Sequence, residues 1–167
     1  MILALAAACG GDQSPSLRAS VVRPPHDTIR FAVPAVAHRC SDGGREARSL
    51  LVQGADERGN GALVRLRYGD SLASGPVPLI ALGDSITLRG ANAAVRYMKG
   101  DVAHGFSLDS GAVDLTATGR RGGGGVALAA RVRGSGLENG VRVAAEVTYA
   151  GVPRPSATDS VPCRFQP

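Results

Sequence analysis

Three cysteines and three histidines are the side chains of this 167-residue chain best suited to covalent or metal chemistry. Thiolate and imidazole groups bind zinc when they occur as two closely spaced ligand pairs. His38 and Cys40 form one such pair, but neither His26 nor His104 belongs to a second one. We therefore predict no metal site and no cofactor, and we keep a weaker site built from His38 and His104 as an alternative.

The first cysteine follows an apolar run, since residues 1–11 read MILALAAACGG. Small residues immediately before a cysteine resemble the lipobox of bacterial lipoproteins. The resemblance implies that Cys9 is lipidated and becomes the first residue after cleavage, so that residues 1–8 are a signal-peptide remnant. Gly10 after the cysteine implies sorting to the outer membrane, facing the periplasm or the exterior. Two or three acyl chains, at about 0.8 kcal/mol per buried methylene, would hold such a protein at the bilayer.

The other two cysteines, Cys40 and Cys163, stand far apart in the sequence. Two cysteines outside the cytoplasm are expected to oxidise, so we predict a disulfide between them. A loop of this size stabilises the folded chain by about 4–5 kcal/mol in the chain-entropy description. Two free buried thiols are the alternative.

Residues 79–87 read LIALGDSIT, an apolar run followed by Gly-Asp-Ser, and residues 101–104 read DVAH. The first segment resembles block one of the SGNH, or GDSL-type, esterases, and the second matches the Asp-x-x-His block of that family. The resemblance implies that Ser85 is a nucleophile, that His104 is its general base and that Asp101 orients the histidine.

The spacing of these blocks favours a structural interpretation. The esterase family separates nucleophile and base by most of an α/β domain, whereas Ser85 and Asp101 are 16 positions apart. We therefore predict no catalytic residue and keep the esterase as the alternative. Gly, Asp and Ser are favoured in turns, which predicts a hairpin turn around Asp84. For His104 we predict a hydrogen-bonded histidine near the start of a strand.

Apolar and polar residues alternate with period two through much of the chain. In the first such segment Val64 and Leu66 share one face, while Arg65 and Arg67 share the other. Alternation of this kind indicates antiparallel strands with one buried face. The pattern occurs in four segments: residues 62–68, 112–118, 126–133 and 141–149.

Asn-Gly pairs at 60–61 and 139–140 predict β-hairpins between such strands. Residues 92–99, NAAVRYMK, fit either a strand or a short helix, and we prefer the strand because their neighbours are strands. The sequence therefore predicts an all-β fold, an antiparallel β-sandwich or flattened barrel with hairpin connections. Segments between residues 106 and 153, such as FSLDSGAVDLTATG, also resemble small bacterial envelope lipoproteins with β-sandwich domains.

Residues 10–27 are rich in Gly, Ser and Pro, which is typical of a flexible linker. We therefore predict a lipidated cysteine and tether over residues 9–27 and a β-sandwich domain over residues 28–167.

The net charge of +5 comes almost entirely from arginine, since Lys99 is the only lysine. The arginines are scattered and the chain has only three Tyr and three Phe, so we predict no nucleic-acid partner. Strand alternation places five arginines on outward faces: Arg65, Arg67, Arg131, Arg133 and Arg142. Such faces suit an anionic envelope polymer or another protein, and a merely solvated surface is the alternative. We predict a lipid-anchored cell-envelope protein with a non-catalytic binding or scaffolding role.

Overall fold

The structure is a computed structural model that describes residues 14–41, 48–69, 71–84, 86–121, 125–156 and 160–163. Within these residues the regular secondary structure consists of strands, and no helix occurs. The strands are β1 Ser16–Arg23, β2 Asp27–Pro34, β3 Val36–Ser41, β4 Arg48–Ala55, β5 Gly61–Tyr68, β6 Gly75–Pro78, β7 Gly90–Lys99, β8 Val102–Leu108, β9 Ser110–Arg121, β10 Gly125–Glu138, β11 Val141–Pro153 and β12 Ser160–Pro162.

The strands form two six-stranded sheets, which we call the first and the second sheet. The first sheet has the order β2-β1-β11-β10-β9-β6, and the second has the order β12-β3-β4-β5-β7-β8. Neighbouring strands are antiparallel except for β12, which runs parallel to β3. The sheets do not close into a barrel. The predicted all-β fold is therefore confirmed, and of the two predicted architectures, sandwich and flattened barrel, the chain adopts the β-sandwich.

The strand β7 runs across the strands of the first sheet. Near its beginning, Leu79 forms a bridge with Ala91 and donates its amide to the carbonyl of Gly111 in β9. At its end, Lys99 lies 2.6 Å from the carboxylate of Asp27 in β2. Because β9 and β2 stand near opposite edges of the first sheet, the two sheets cross steeply, as in orthogonal sandwiches.

The core lies between the sheets and is filled by the inward side chains of both. Most are Val, Leu and Ala, and the largest fully buried side chains are Tyr97 and Tyr149. Val64 and Leu66 point into this core, as their alternation predicts. Residues 92–99 lie in β7, so the preference for a strand in this segment is confirmed.

Both Asn-Gly pairs lie at hairpins, as predicted, although Gly61 of the first pair is already the first residue of β5. Asn60 ends the turn between β4 and β5, and Asn139 with Gly140 connects β10 to β11. Asn139 has φ 49° and Gly140 has φ 82°, the left-handed conformations that a tight hairpin turn requires.

The domain boundary predicted at residue 28 is wrong, because β1 is an inner strand of the first sheet. It pairs with β2 on one side and β11 on the other. Leu17, Ala19 and Val21 are buried in the core, so period-two alternation extends into the segment predicted as tether. Cys9 and the remainder of the predicted tether lie outside the described residues.

The exposed positions predicted for Arg65 and Arg67 are also wrong, since only 9% and 7% of their surfaces are exposed. The connection between β6 and β7 folds over the outer face of the second sheet. There the guanidinium of Arg65 donates to the side-chain oxygen of Asn92. The amide group of Asn92 in turn donates to the carbonyls of Ile80 and Ala81, which fixes the connection onto the sheet.

Candidate functional site

The predicted disulfide between Cys40 and Cys163 is present, and it joins the end of β3 to the residue that follows β12. Because Cys40 is oxidised, the pair formed by His38 and Cys40 cannot supply a thiolate to a metal. Three strands of the second sheet lie between His38 in β3 and His104 in β8. The strands that carry the two histidines are therefore four strand spacings apart, at about 4.8 Å each, which is too far for a shared metal ion. Among the described residues no three His, Cys, Asp or Glu side chains gather at metal-binding distance.

Ser85 lies outside the described residues, whereas its neighbours Asp84 and Ile86 lie within them. The carboxylate of Asp84 accepts hydrogen bonds from the amides of Ile86 and Thr87, both at 2.8 Å, and from the Thr87 hydroxyl at 2.6 Å. These bonds, the Thr87 hydroxyl first, lower the pKa of Asp84 from 3.8 to about 2. The carboxylate of Asp84 thus holds the connection in shape.

This connection is not the hairpin turn that was predicted. It leads from β6 in the first sheet to β7 in the second, so it passes between sheets. Arg67 donates to the carbonyl of Asp84 at 2.5 Å and thereby ties the connection to β5. The turn-forming role of Asp84 is therefore local, while its place in the fold is set by long-range contacts.

The structure places the residues around Ser85 and the residue His104 at different ends of β7. Asp84 is held by Arg67, which pairs with Gly90 at the start of β7. His104 pairs with Tyr97, seven positions further along the same strand, which corresponds to about 23 Å. Asp101 is exposed in the turn before β8, and the side chain that contacts the His104 ring through a hydrogen bond is Glu138.

Glu138 is the centre of a buried polar cluster that we call the Glu138 cluster: Arg23, Tyr97, His104 and Glu138. The side chain of Glu138 is only 2% exposed. Its carboxylate accepts hydrogen bonds from the Tyr97 hydroxyl at 2.9 and 3.0 Å and lies 2.8 Å from Nδ1 of His104. Nε of Arg23 approaches to 3.0 Å, as an ionic contact whose N–H is not aligned for a hydrogen bond.

The Glu138 cluster connects both sheets, because its four residues come from β1, β7, β8 and β10. The rings of Tyr97 and His104 stack with their centroids 5.2 Å apart. Burial, together with the hydrogen bond to Glu138, raises the pKa of the Tyr97 hydroxyl, which therefore stays protonated and acts as a donor. This arrangement clamps the sheets together. It also agrees with the interpretation of His104 as a hydrogen-bonded histidine near the start of a strand.

Sequence reasoning missed the other members of this cluster. Glu138 precedes an Asn-Gly turn, where a glutamate looks like an ordinary turn residue. Arg23 fell in the predicted tether. The turn at Gly100 would have been enough to pair Tyr97 with His104 across a hairpin, but no local signal connects that pair to Glu138.

The outer face of the first sheet carries the remaining predicted arginines, and each of them contacts a carboxylate. Arg131 lies 2.8 Å from Glu146, and Arg133 lies 3.7 Å from the same residue. Arg133 also lies 3.6 Å from Asp114, and Arg142 lies 2.5 Å from Asp109. All of these side chains are about half exposed, so the pairs leave the face open to solvent.

An open groove of about 680 Å³ crosses the same face over β2, β1 and β11. It is lined mainly by Arg18, Ser20, Arg30, Phe31, Glu146 and Thr148. Arg18 and Arg30 are exposed, and no carboxylate of a described residue lies within ion-pair distance of either. We call this site the arginine groove. An anion in this groove would meet two guanidinium groups that have no carboxylate partner among the described residues.

The described part of the chain contains no helix long and apolar enough to cross a bilayer. In comparisons with known proteins, the chain matches no protein-family model, no curated protein and no solved structure.

Proposed function

We propose that this chain is a lipid-anchored protein of the bacterial cell envelope that binds an anionic envelope polymer through the arginine groove and carries out no catalysis. Cys9 is the proposed anchor. The disulfide supports an oxidising compartment outside the cytoplasm. In the sequence Cys9 precedes Ser16, the first residue of β1, by seven positions, which supports a short linkage between anchor and domain.

The single observation that carries the binding role is a pair of arginines in an open groove, neither of which has a carboxylate partner in the part of the chain that the structure describes. In the register of β1 and β2, Ser20 lies opposite Arg30 and Arg18 lies two positions away. Diagonal neighbours of this kind are about 7–8 Å apart. Guanidinium groups bind phosphate and carboxylate oxygens through paired hydrogen bonds, so two of them at this spacing suit successive charges of a polymer.

The paired arginines extend this surface across the sheet. Thr148 lies opposite Arg18 on one side and opposite Arg131 on the other. A polymer that binds at Arg18 and continues over Thr148 therefore reaches Arg131 after two strand spacings, about 10 Å. Glu146, which also lines the groove, makes its ion pairs with Arg131 and Arg133.

Binding is tested with the full chain carrying Cys9→Ser, which removes the proposed lipid, and with two labelled probes, polyphosphate and poly-L-glutamate. We expect saturable binding that weakens as salt rises. The double variant Arg18→Ser/Arg30→Ser should bind about tenfold more weakly or worse, since each charged contact contributes about 1.5–3 kcal/mol.

The matched control is Arg58→Ser/Arg154→Ser, which removes the same charge at exposed sites outside the groove. Equal loss of binding in the two double variants would show that net charge alone attracts the polymer, and would contradict the proposal. Preference for one probe identifies phosphate or carboxylate as the recognised group.

The anchor is tested separately by labelling cells with a palmitate analogue. We expect label on the wild-type chain and none on Cys9→Ser. Label that persists in the variant, or is absent from the wild type, would contradict the role of Cys9.

A further inference from the structure

We propose that a second groove, on the outer face of the second sheet, shelters an acyl chain of the lipid on Cys9 when that lipid is not inserted in a membrane. This inference rests on the lipidation of Cys9 proposed above. The groove has a volume of about 620 Å³. That volume falls within the range of about 300–1,000 Å³ that is usual for small-molecule sites.

The lining of this groove, which we call the acyl groove, is mostly apolar. It includes the exposed side chain of Val36, together with Leu63 and Ala94, and Gln53 and Arg96 are its polar residues. None of the described residues that line it is acidic. A cation or a basic peptide would therefore find no counter-charge on these residues, whereas a hydrocarbon chain would find the apolar side chains of Val36 and Leu63.

The acyl groove is formed before any occupant arrives. Its lining includes Gly61 of β5, where a Cβ would clash with the carbonyl oxygen of Gly54, so no side chain fills this part of the groove. One wall is the turn at Gly59. Asn60 fixes this turn, since its amide and side chain bond to the Asp56 carboxylate at 2.8 Å.

The first described residues, at the N-terminal end of β1, lie beside the acyl groove. The carbonyl of Pro15 accepts a hydrogen bond from the amide of Ala35 at 3.1 Å. Ala35 stands between Pro34 and Val36, and both of these residues line the groove. The polypeptide that leads back to Cys9 therefore starts beside Val36.

The length of this segment allows the lipid to reach the groove. Cys9 is five residues before Ser14, the first described residue, so the two are separated by at most about 17 Å. The segment includes Gly10 and Gly11, and glycine is the residue type with the widest choice of backbone conformations. The same length lets the lipid leave the groove and insert in a bilayer without unfolding the domain.

The experiment measures binding of a fluorescent palmitate analogue to the full chain carrying Cys9→Ser. We expect saturable binding at one site. Val36→Glu introduces a charge at the mouth and should weaken binding about tenfold or more. Val36 is 49% exposed, so the variant should fold. Leu63→Glu is a second variant within the groove.

The matched control is Val22→Glu, because Val22 is 46% exposed and lies on the other sheet. We expect this control to bind the probe as tightly as the parent protein. Equal weakening by Val36→Glu and Val22→Glu, or the absence of saturable binding, would overturn the proposal.

Two further outcomes are distinguished by measuring the mass of Cys9 in protein from cells. An unlipidated Cys9 contradicts the proposed function, whatever the groove binds. A lipidated Cys9 together with a groove that binds no palmitate analogue contradicts this inference alone. A concentration-dependent dimer that Val36→Glu abolishes, without palmitate binding, would assign the groove to a second copy of the chain and also overturn the proposal.

Discussion

Nδ1 of His104 lies 2.8 Å from the carboxylate of Glu138, and this contact joins β8 of the second sheet to β10 of the first. The carboxylate is almost fully buried and is contacted by side chains from β1, β7 and β8. A buried charge is expensive to remove from water, and its partners compensate for that cost only as a complete set. We therefore expect the Glu138 cluster to make a large contribution to the free energy of unfolding.

Replacing Glu138 by alanine tests this role. The substitution leaves Arg23 and the Tyr97 hydroxyl without their partner, so we expect the free energy of unfolding to fall by about 3–5 kcal/mol. The measurement is urea unfolding. The control is Glu146→Ala, which breaks an exposed ion pair with Arg131 and should cost at most about 1 kcal/mol. Similar losses in the two variants would contradict the assignment.

The two buried tyrosines should respond in opposite ways to removal of their hydroxyls. The hydroxyl of Tyr97 bonds to Glu138, whereas that of Tyr149 is buried with no hydrogen-bond partner among the described residues. Tyr97→Phe should therefore lower the free energy of unfolding by about 1–3 kcal/mol. Tyr149→Phe should leave it unchanged or raise it, because the phenylalanine no longer buries an unsatisfied hydroxyl. Thermal unfolding of both variants measures the difference.

Alternation predicted the strands well because it depends on local geometry alone. Val64 and Leu66 are buried as predicted, since a strand with one face in the core must present alternate residues to it. The same pattern failed for Arg65 and Arg67. It identifies two faces of a strand but does not reveal that the segment around Ile80 covers the second face.

Composition misled the prediction at the N-terminal end. Leu17, Ala19 and Val21 alternate with polar residues, but the Gly, Ser and Pro residues on both sides resemble a linker. Pro24 and Pro25 lie in the turn that follows β1. For Glu138 no local signal exists, because its partners are distant in sequence and meet only when the two sheets pack.

The hydrogen bonds to Asp84 should appear in its acid titration. They lower its folded-state pKa from 3.8 to about 2. The ionised carboxylate therefore stabilises the folded connection above about pH 4, and this contribution is lost as the pH falls toward 2. Thr87→Val removes the strongest of these bonds, so we expect the pKa of Asp84 to rise toward its ordinary value.

Carbon NMR of the carboxyl groups measures this pKa directly. The control variant Thr28→Val removes an exposed threonine from β2 of the first sheet, whereas Asp84 is tied to β5 of the second sheet. This variant should leave the titration of Asp84 unchanged. An Asp84 pKa that is the same in Thr87→Val and the parent protein would show that the hydroxyl does not stabilise the charged form.

The disulfide should contribute more to stability than any single contact in this core. Cys40 and Cys163 are 123 residues apart, and a loop of that length restricts the unfolded chain by about 5 kcal/mol in the chain-entropy description. For a domain of this size such a loss lowers Tm by about 10–20 °C. The core consists largely of Val, Leu and Ala, which bury little area each, so the fold has few other strong contributions to replace it.

Thermal unfolding with and without reductant measures this contribution. We expect the parent protein to lose stability in reductant, whereas Cys40→Ala/Cys163→Ala should melt at the lower temperature under both conditions. The double variant separates loss of the crosslink from other effects of the reductant, because it has no bond left to reduce. An identical melting curve for the parent protein in both conditions would contradict the expected contribution, since β12 would then stay on β3 through its strand pairing alone.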